Sequence, residues 1–154
     1  MNILDSLHII GGLPPATDAF SGTVATDIFE VSGAGAFFVY WMGTNAGVGN
    51  AQITVLACST NTATATTAIP FKYKVSTTFD TWGAWTEATA TGIATSTTSN
   101  NIYLINAEAG AIASTGYKYV KLVSVEAGGD AVYGCVLAGV INPRYQAQPS
   151  SLID

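Results

Sequence analysis

The chain has 154 residues, of which 49% are hydrophobic and only 10% are charged, and its formal net charge at pH 7 is −5. The five basic residues form no run. This argues against a nucleic-acid binder, because such proteins need several Lys and Arg side chains to neutralise phosphates. The length suits one domain with a single core. So few charges are typical of a subunit that buries part of its surface in an assembly.

Residues 1–22 precede the first regular strand pattern, and we expect them to form an N-terminal arm. Leu4, Leu7 and His8 can share one face of a helix, but so short a helix before a Gly-Gly pair is marginal alone. An extended arm that docks on a neighbouring subunit is the equal alternative. A chain that lacks residues 1–20 is therefore expected to fold as a β-domain but to attach poorly to its partner.

Neither secretion nor a membrane span is expected. The N-terminus carries Asp5 where a signal peptide is apolar, and it has no basic segment. The longest apolar runs, residues 34–43 and 131–141, are about half the ~20 residues that a membrane-spanning helix requires. Both runs are interpreted as buried strands.

Residues 23–142 alternate apolar segments with turns at about the 8–12-residue spacing that marks sandwiches and barrels. The clearest strand signal is Phe71–Val75, in which apolar and Lys side chains alternate. The pattern predicts an all-β domain with very little helix: an eight-stranded antiparallel β-sandwich of the jelly-roll type, with an immunoglobulin-like sandwich as the alternative. The eight predicted strands are Thr26–Val31, Ala36–Gly43, Ala51–Ser59, Ala68–Val75, Trp85–Ala90, Asn101–Glu108, Lys118–Glu126 and Ala131–Ile141.

The last predicted strand is apolar on both faces, which places it in the centre of a sheet or beneath another subunit. Val136 points to one side and Leu137 to the other. If one face lines the core and the other contacts a subunit, Asp at one of these positions should unfold the protein and Asp at the other should yield a folded monomer. The Gly128–Gly129 pair before this strand predicts a hairpin, and residues 143–154 after it form a C-terminal tail.

No catalytic, metal or cofactor site is predicted. His8 is the only histidine, and one His with two separated Cys cannot form a zinc site. Calcium would need oxygens around Asp80, or around Glu126 and Asp130, but a carboxylate that hydrogen-bonds within a turn is the preferred interpretation of each. We therefore expect a protein that is not an enzyme.

Trp82 and Trp85 lie with Phe79 in one loop. Exposed indoles can stack on sugars, as in carbohydrate-binding modules, or can pack in a core or a subunit interface. The packing interpretation is favoured, and a glycan platform is the alternative.

Cys58 and Cys135 both lie in apolar stretches. Two cysteines in a chain of this length do not indicate a disulfide framework, and free Cys is among the most buried residue types. Buried thiols are therefore favoured over a disulfide, which is compatible with folding in a reducing cytoplasm.

A series of segments carries a family resemblance: Asp27–Val31, Ala51–Cys58, Ala68–Lys74, Ile102–Ile105, Gly116–Leu122 and Asn142–Tyr145. In this order they resemble small structural proteins of tailed bacteriophages, in particular head decoration (cement) proteins of the jelly-roll type. The resemblance spans about residues 20–145 and consists of strands and turns without a diagnostic motif.

The resemblance implies a non-enzymatic virion protein that is made in the bacterial host cytoplasm and binds the capsid exterior. Such a protein contacts the major capsid protein, often as a homotrimer, and bridges neighbouring capsomers. The terminal arms would then supply the partner contacts, through Leu4, Leu7, His8, Ile9, Arg144 and Tyr145. A tail or adhesin subunit agrees equally well with the residues.

Overall fold

A computed structural model describes residues 6–78 and 80–142. Leu4, Phe79, Arg144 and Tyr145, for which the sequence makes predictions, lie outside these ranges. The elements are β1 (Leu7–Ala16), β2 (Thr23–Ala25), β3 (Phe29–Glu30), β4 (Gly35–Asn45), β5 (Asn50–Cys58), β6 (Thr66–Ile69), β7 (Phe71–Ser76), β8 (Thr86–Ala88), β9 (Ile93–Ala94), β10 (Asn101–Glu108), α1 (Ala109–Ala113), β11 (Tyr119–Gly128) and β12 (Val132–Ile141).

The strands form two antiparallel sheets that pack against each other. Sheet A has the order β1-β12-β4-β10-β7-β8. Sheet B has the order β2-β11-β5-β6, with β3 also paired to β11 and β9 to β5. The prediction of an all-β, antiparallel sandwich is therefore confirmed. The described strands are more numerous than the eight that the sequence predicts, because the structure adds β1 and several strands of two to four residues.

Alternating burial explains why the longer strands were predictable. In β10 every second side chain is buried, and the strand has the predicted bounds Asn101–Glu108. The same alternation in β5 places Ile53 and Val55 in the core. Strand β12 begins one residue after its predicted start.

Two predicted connections are corrected because consecutive strands belong to different sheets. The predicted strand Ala68–Val75 is divided at Pro70, where the chain leaves β6 in sheet B and enters β7 in sheet A. Proline cannot donate to a ladder, so it suits a point where the chain changes sheets. The predicted hairpin at Gly128–Gly129 is wrong for the same reason, since β11 belongs to sheet B and β12 to sheet A.

Residues 7–16 form β1, the edge strand of sheet A, where the sequence predicts part of an arm. Its register with β12 shifts between Ile9 and Gly11, as at a β-bulge. Gly12 has φ +150°, and a Cβ there would lie 1.8 Å from the carbonyl oxygen of Val136. In the sequence, Gly12 suggests the end of a regular element. In the structure, its lack of a side chain allows β1 to approach β12 closely.

The core between the sheets is aromatic and aliphatic. The ring of Phe20 stacks on that of Tyr40 with 4.2 Å between centroids. The hydroxyl groups of Tyr40 and Ser124 share a buried hydrogen bond of 2.9 Å, which joins sheet A to sheet B. Burial raises the pKa of Tyr40 well above its ordinary value. Phe20, which the sequence places in the N-terminal arm, is thus part of the core.

Candidate functional site

The last strand presents different environments on its two faces, as the alternation predicts. Val136 is 1% exposed and lies in the core, whereas Leu137 is 48% exposed on the outside of sheet A. Tyr133, on the same side as Leu137, is also exposed. An apolar side chain that remains exposed on a central strand is a candidate for contact with another molecule.

The neighbouring strands extend this outer surface. Val39 of β4 lies in register between Leu137 of β12 and Leu104 of β10. Two residues further along β4, Trp41 lies in register between Cys135 of β12 and Ile102 of β10. The surface, called the apolar face below, comprises apolar outward side chains of β1, β12, β4 and β10: Ile9, Phe37, Val39, Trp41, Ile102, Leu104, Tyr133, Cys135, Leu137 and Ile141. The outward residues Asn106 and Glu108 at the end of β10 are polar and lie at its margin.

Phe37 lies on the apolar face but is almost fully covered. A Cβ on Gly139 would be 2.6 Å from its ring, so the absence of a side chain at Gly139 lets the ring lie across β12. Beside Phe37 is an apolar groove of about 250 Å³, lined also by Leu7, Val39 and Trp85. The face therefore combines protruding side chains with a depression.

Charge is confined to the margin of this surface. No side chain of the apolar face is acidic or basic. At the β7 margin, Lys72 Nζ lies 2.7 Å from Glu108 Oε1, and the hydrogen bond raises the pKa of Lys72. Both groups are largely exposed, so the pair contributes little to stability.

The predicted aromatic loop adjoins the apolar face. Lys74 Nζ lies 4.9 Å from the ring centroid of Trp82 and 5.1 Å from that of Trp85. Lys74 pairs with Leu104 across β7 and β10, and Trp85 lines the apolar groove. A second groove, of about 440 Å³, brings Trp85 beside Asn106 and polar side chains of the margin. An exposed indole next to amide, ammonium and carboxylate groups has the composition of a saccharide site.

The structure describes three of the predicted contact residues of the arm, and they do not all lie on the same side of β1. Leu7 lines the apolar groove and Ile9 is exposed on the apolar face, so two of the predicted partner contacts belong to one surface. His8 is half-buried in β1 opposite Val140.

Two of the predicted calcium candidates accept hydrogen bonds from backbone N–H groups that are distant in the sequence, and not from their own turns. Glu126 Oε2 accepts from the N–H of Gly22 at 2.6 Å, and Asp130 Oδ2 accepts from the N–H of Val48 at 2.8 Å. Asp80 is exposed and has φ +66°. Within residues 6–78 and 80–142, no three His, Cys, Asp or Glu side chains lie close enough together to hold a metal ion.

Both cysteines are free thiols and lie on different sheets. Cys58 is fully buried at the end of β5, and Cys135 is half-buried on the apolar face. Burial raises the pKa of each thiol, which lowers the thiolate fraction at neutral pH. Of the two, only Cys135 lies where a partner on the apolar face would cover it.

Sequence reasoning found β12 but missed the contribution of β4 and β10 to this surface. The signal was present in residues 35–43, which are apolar on both faces as the last strand is. No protein-family model, curated protein or solved structure matches the chain. Among the described residues, no helix has the length and apolar character needed to cross a membrane.

Proposed function

We propose that this chain is a non-enzymatic virion structural protein that binds the outer surface of a phage capsid and bridges neighbouring capsomers. The observation that carries the proposal is the apolar face, an uncharged surface on the outside of a sandwich whose own core is already complete. A protein that acts by burial needs such a surface, because apolar area removed from water supplies most association energy. Its partner would be the major capsid protein, and its location the capsid exterior.

The strand pairing supports the finer assignment of a jelly roll. Strand β1 pairs with β12, β2 with β11, β4 with β10, and β5 with β6. These pairs are nested along the chain like the two arms of one long hairpin. Rolling such a hairpin into two sheets produces the double Greek key of a jelly roll. Strands β3, β7, β8 and β9 are then additions to the eight-stranded plan.

A homotrimer is the favoured assembly in this proposal. A decoration protein meets a lattice of repeated sites, so several copies held together bind by avidity even when each contact is weak. The terminal segments 1–6 and 143–154 flank β1 and β12, the adjacent strands at one side of sheet A. Leu7 pairs with Ile141, so the start of β1 and the end of β12 lie side by side in sheet A.

The test is to locate the chain in virions from its source. We expect an antibody against the purified protein to label the outside of intact heads in electron micrographs, and added protein to rebind heads from which it has been stripped. Label confined to the tail would favour a tail or adhesin subunit. A chain absent from purified virions would contradict the proposal.

The second candidate function is glycan binding by the Trp82 and Trp85 platform. It is favoured by the exposure of the two indoles, 42% and 51%, and by the polar groove beside Trp85. Binding on a glycan array that is lost in Trp85→Ala but retained in Trp41→Ala would support it, provided that both variants keep the assembly mass of the unmodified chain. Equal loss in both variants, or no binding, would count against a specific platform.

A further inference from the structure

We propose that the apolar face is a self-association surface, so that copies of this chain assemble with the outer faces of sheet A turned toward one another. In this proposal a second copy, and not the capsid protein, covers the apolar face, so the capsid would be contacted by other surfaces of the assembly. The proposal does not depend on a place in a capsid. It predicts that the purified chain assembles alone.

Because the apolar face carries no charge, the partner that suits it is another uncharged, apolar surface. Proteins prevent their own exposed sheets from associating by placing Lys, Glu or inward-pointing charges on them. The charges on the outer side of sheet A are Lys72, Lys74 and Glu87 in β7 and β8, and Glu108 at the end of β10, all at the margin of the apolar face. No charged side chain on the apolar face opposes pairing with an identical surface. Every copy of the chain carries this surface, so a partner is present wherever the protein is.

The size of the face is adequate for an interface. Four strands about 4.8 Å apart, with side chains spread over about seven residues of ~3.3 Å each, give a projected area on the order of 400 Å². Standard interfaces take about 800 Å² of accessible surface from each partner. Side-chain relief and the groove beside Trp85 raise the accessible area above the projected one. The face can therefore supply at least about half of a standard contact, and its margin would supply the rest.

The apolar face carries both protruding side chains and a groove that can receive them. Ile9 and Leu137 protrude, with exposed fractions of 59% and 48%. The groove of about 250 Å³ lies on the same surface, between Leu7 and Trp85. A side chain of one copy can occupy the groove of the next, which is the heterologous contact that closes into a ring when the rotation permits.

Association through the strand edges is disfavoured. The outer edge of β1 ends in Pro14 and Pro15, which lack donors, and its register is broken at two places. At the opposite edge, β8 has only three residues. Both edges are poor templates for another strand, so the outer face of sheet A is the available apolar surface.

The experiment measures the mass of the purified chain and its variants by light scattering, with thermal melting as the check on folding. We expect the unmodified chain to show a multiple of 15.8 kDa, and three times this mass for a trimer. Leu137→Asp should show the mass of one folded chain. Ile9→Asp, on the edge strand, is the second variant and should weaken assembly in the same direction even if Leu137→Asp fails to fold.

Val125→Asp is the matched control. Val125 is 42% exposed on the outer side of β11 in sheet B, close to the 48% of Leu137. This variant should keep the assembly mass of the unmodified chain. A single-chain mass for the unmodified protein at all concentrations overturns the proposal. So does an unchanged mass in both sheet A variants, or an equal loss of mass in Val125→Asp.

Discussion

The two sheets of this sandwich have similar inner faces and very different outer faces. In sheet B the outward positions of β5 include Gln52 and Thr54, and those of β11 include Lys121. The Lys118 to Glu30 ion pair, at 3.0 Å, lies where β11 meets β3. In sheet A most of the corresponding positions of β4, β10 and β12 are aliphatic or aromatic, and the polar exceptions Asn106 and Glu108 lie at the end of β10.

The difference teaches that the two patterns have different causes. Folding requires only the inner faces to be apolar, because they form the core between the sheets. The outer face of sheet B carries polar and charged side chains, so its exposure to water needs no further explanation. The outer face of sheet A needs a second explanation, and contact with another molecule is the one that its composition favours.

The largest expected effect contrasts the two sides of β12. Val136→Asp places a carboxylate in the core beside no basic partner on its own strand, and burying an unpaired charge costs several kcal/mol. We expect the variant to lack a cooperative melting transition. A folded Val136→Asp variant would show that the inner and outer sides of β12 have been assigned wrongly.

The second effect tests whether the N-terminal segment belongs to the sandwich. Phe20 is buried and stacked on Tyr40, so Phe20→Ala should cost about 3–5 kcal/mol in the free energy of unfolding. Denaturant titration measures this. The structure therefore changes the expectation for a chain lacking residues 1–20, which should lose stability as well as attachment. Exposed Ile9→Ala is the control and should have a much smaller effect on stability.

The third effect concerns the hydrogen bond that joins the two sheets. Ser124→Ala leaves the buried hydroxyl of Tyr40 without its partner and should cost about 1–3 kcal/mol. Equilibrium unfolding at neutral pH measures it. An unchanged stability would indicate that the two hydroxyl groups are not paired in solution.

The same tyrosine gives the protein a pH dependence. Burial raises the pKa of Tyr40 above the value near 10 that it has when unfolded, so the unfolded chain releases this proton first. Stability from Tyr40 is thus complete below about pH 10 and is lost as the pH rises above it. Tyr40→Phe should flatten this alkaline decline, whereas Ser124→Ala should keep it. If stability fell equally steeply with pH in the unmodified chain, Tyr40→Phe and Ser124→Ala, Tyr40 would not be the source of the alkaline decline.

The smallest effect maps the boundary of the apolar face. Lys72→Ala removes an exposed ion pair, so we expect a barely measurable change in melting temperature that disappears in high salt. The assembly mass should be unchanged. A loss of assembly would extend the association surface into the charged margin of sheet A.

Strands with strong alternation could be predicted from the sequence, whereas their partners could not. Strand β10 matches its prediction because Tyr103 and Ile105 alternate with outward residues between clear turn signals. Sheet exchange at Pro70 and after Gly128 depends on contacts far along the chain, and a local turn pattern is the same for a hairpin and a crossover. Strand β1 was missed because a glycine such as Gly12 usually marks the end of a regular element. The reason for a glycine inside the strand is its close approach to the backbone of Val136, which the sequence does not show.

The candidate site was predictable only in part for the same reason. The alternation in β12 placed Val136 and Leu137 on opposite faces but left open which face lines the core, and the structure places Val136 there. That Val39 and Leu104 lie beside Leu137 is a matter of register between distant strands. A single sequence carries no signal for that register.

The central claim is that the apolar face is covered in the assembled protein, and the two native thiols test it directly. Cys135 lies on that face and Cys58 is buried in sheet B, so a thiol reagent at mildly alkaline pH reports on each without a substitution. We predict that neither thiol reacts in the assembled chain, that Cys135 alone reacts in folded Leu137→Asp, and that both react after unfolding. Reaction of Cys135 in the unmodified chain at the rate seen in Leu137→Asp would contradict the account.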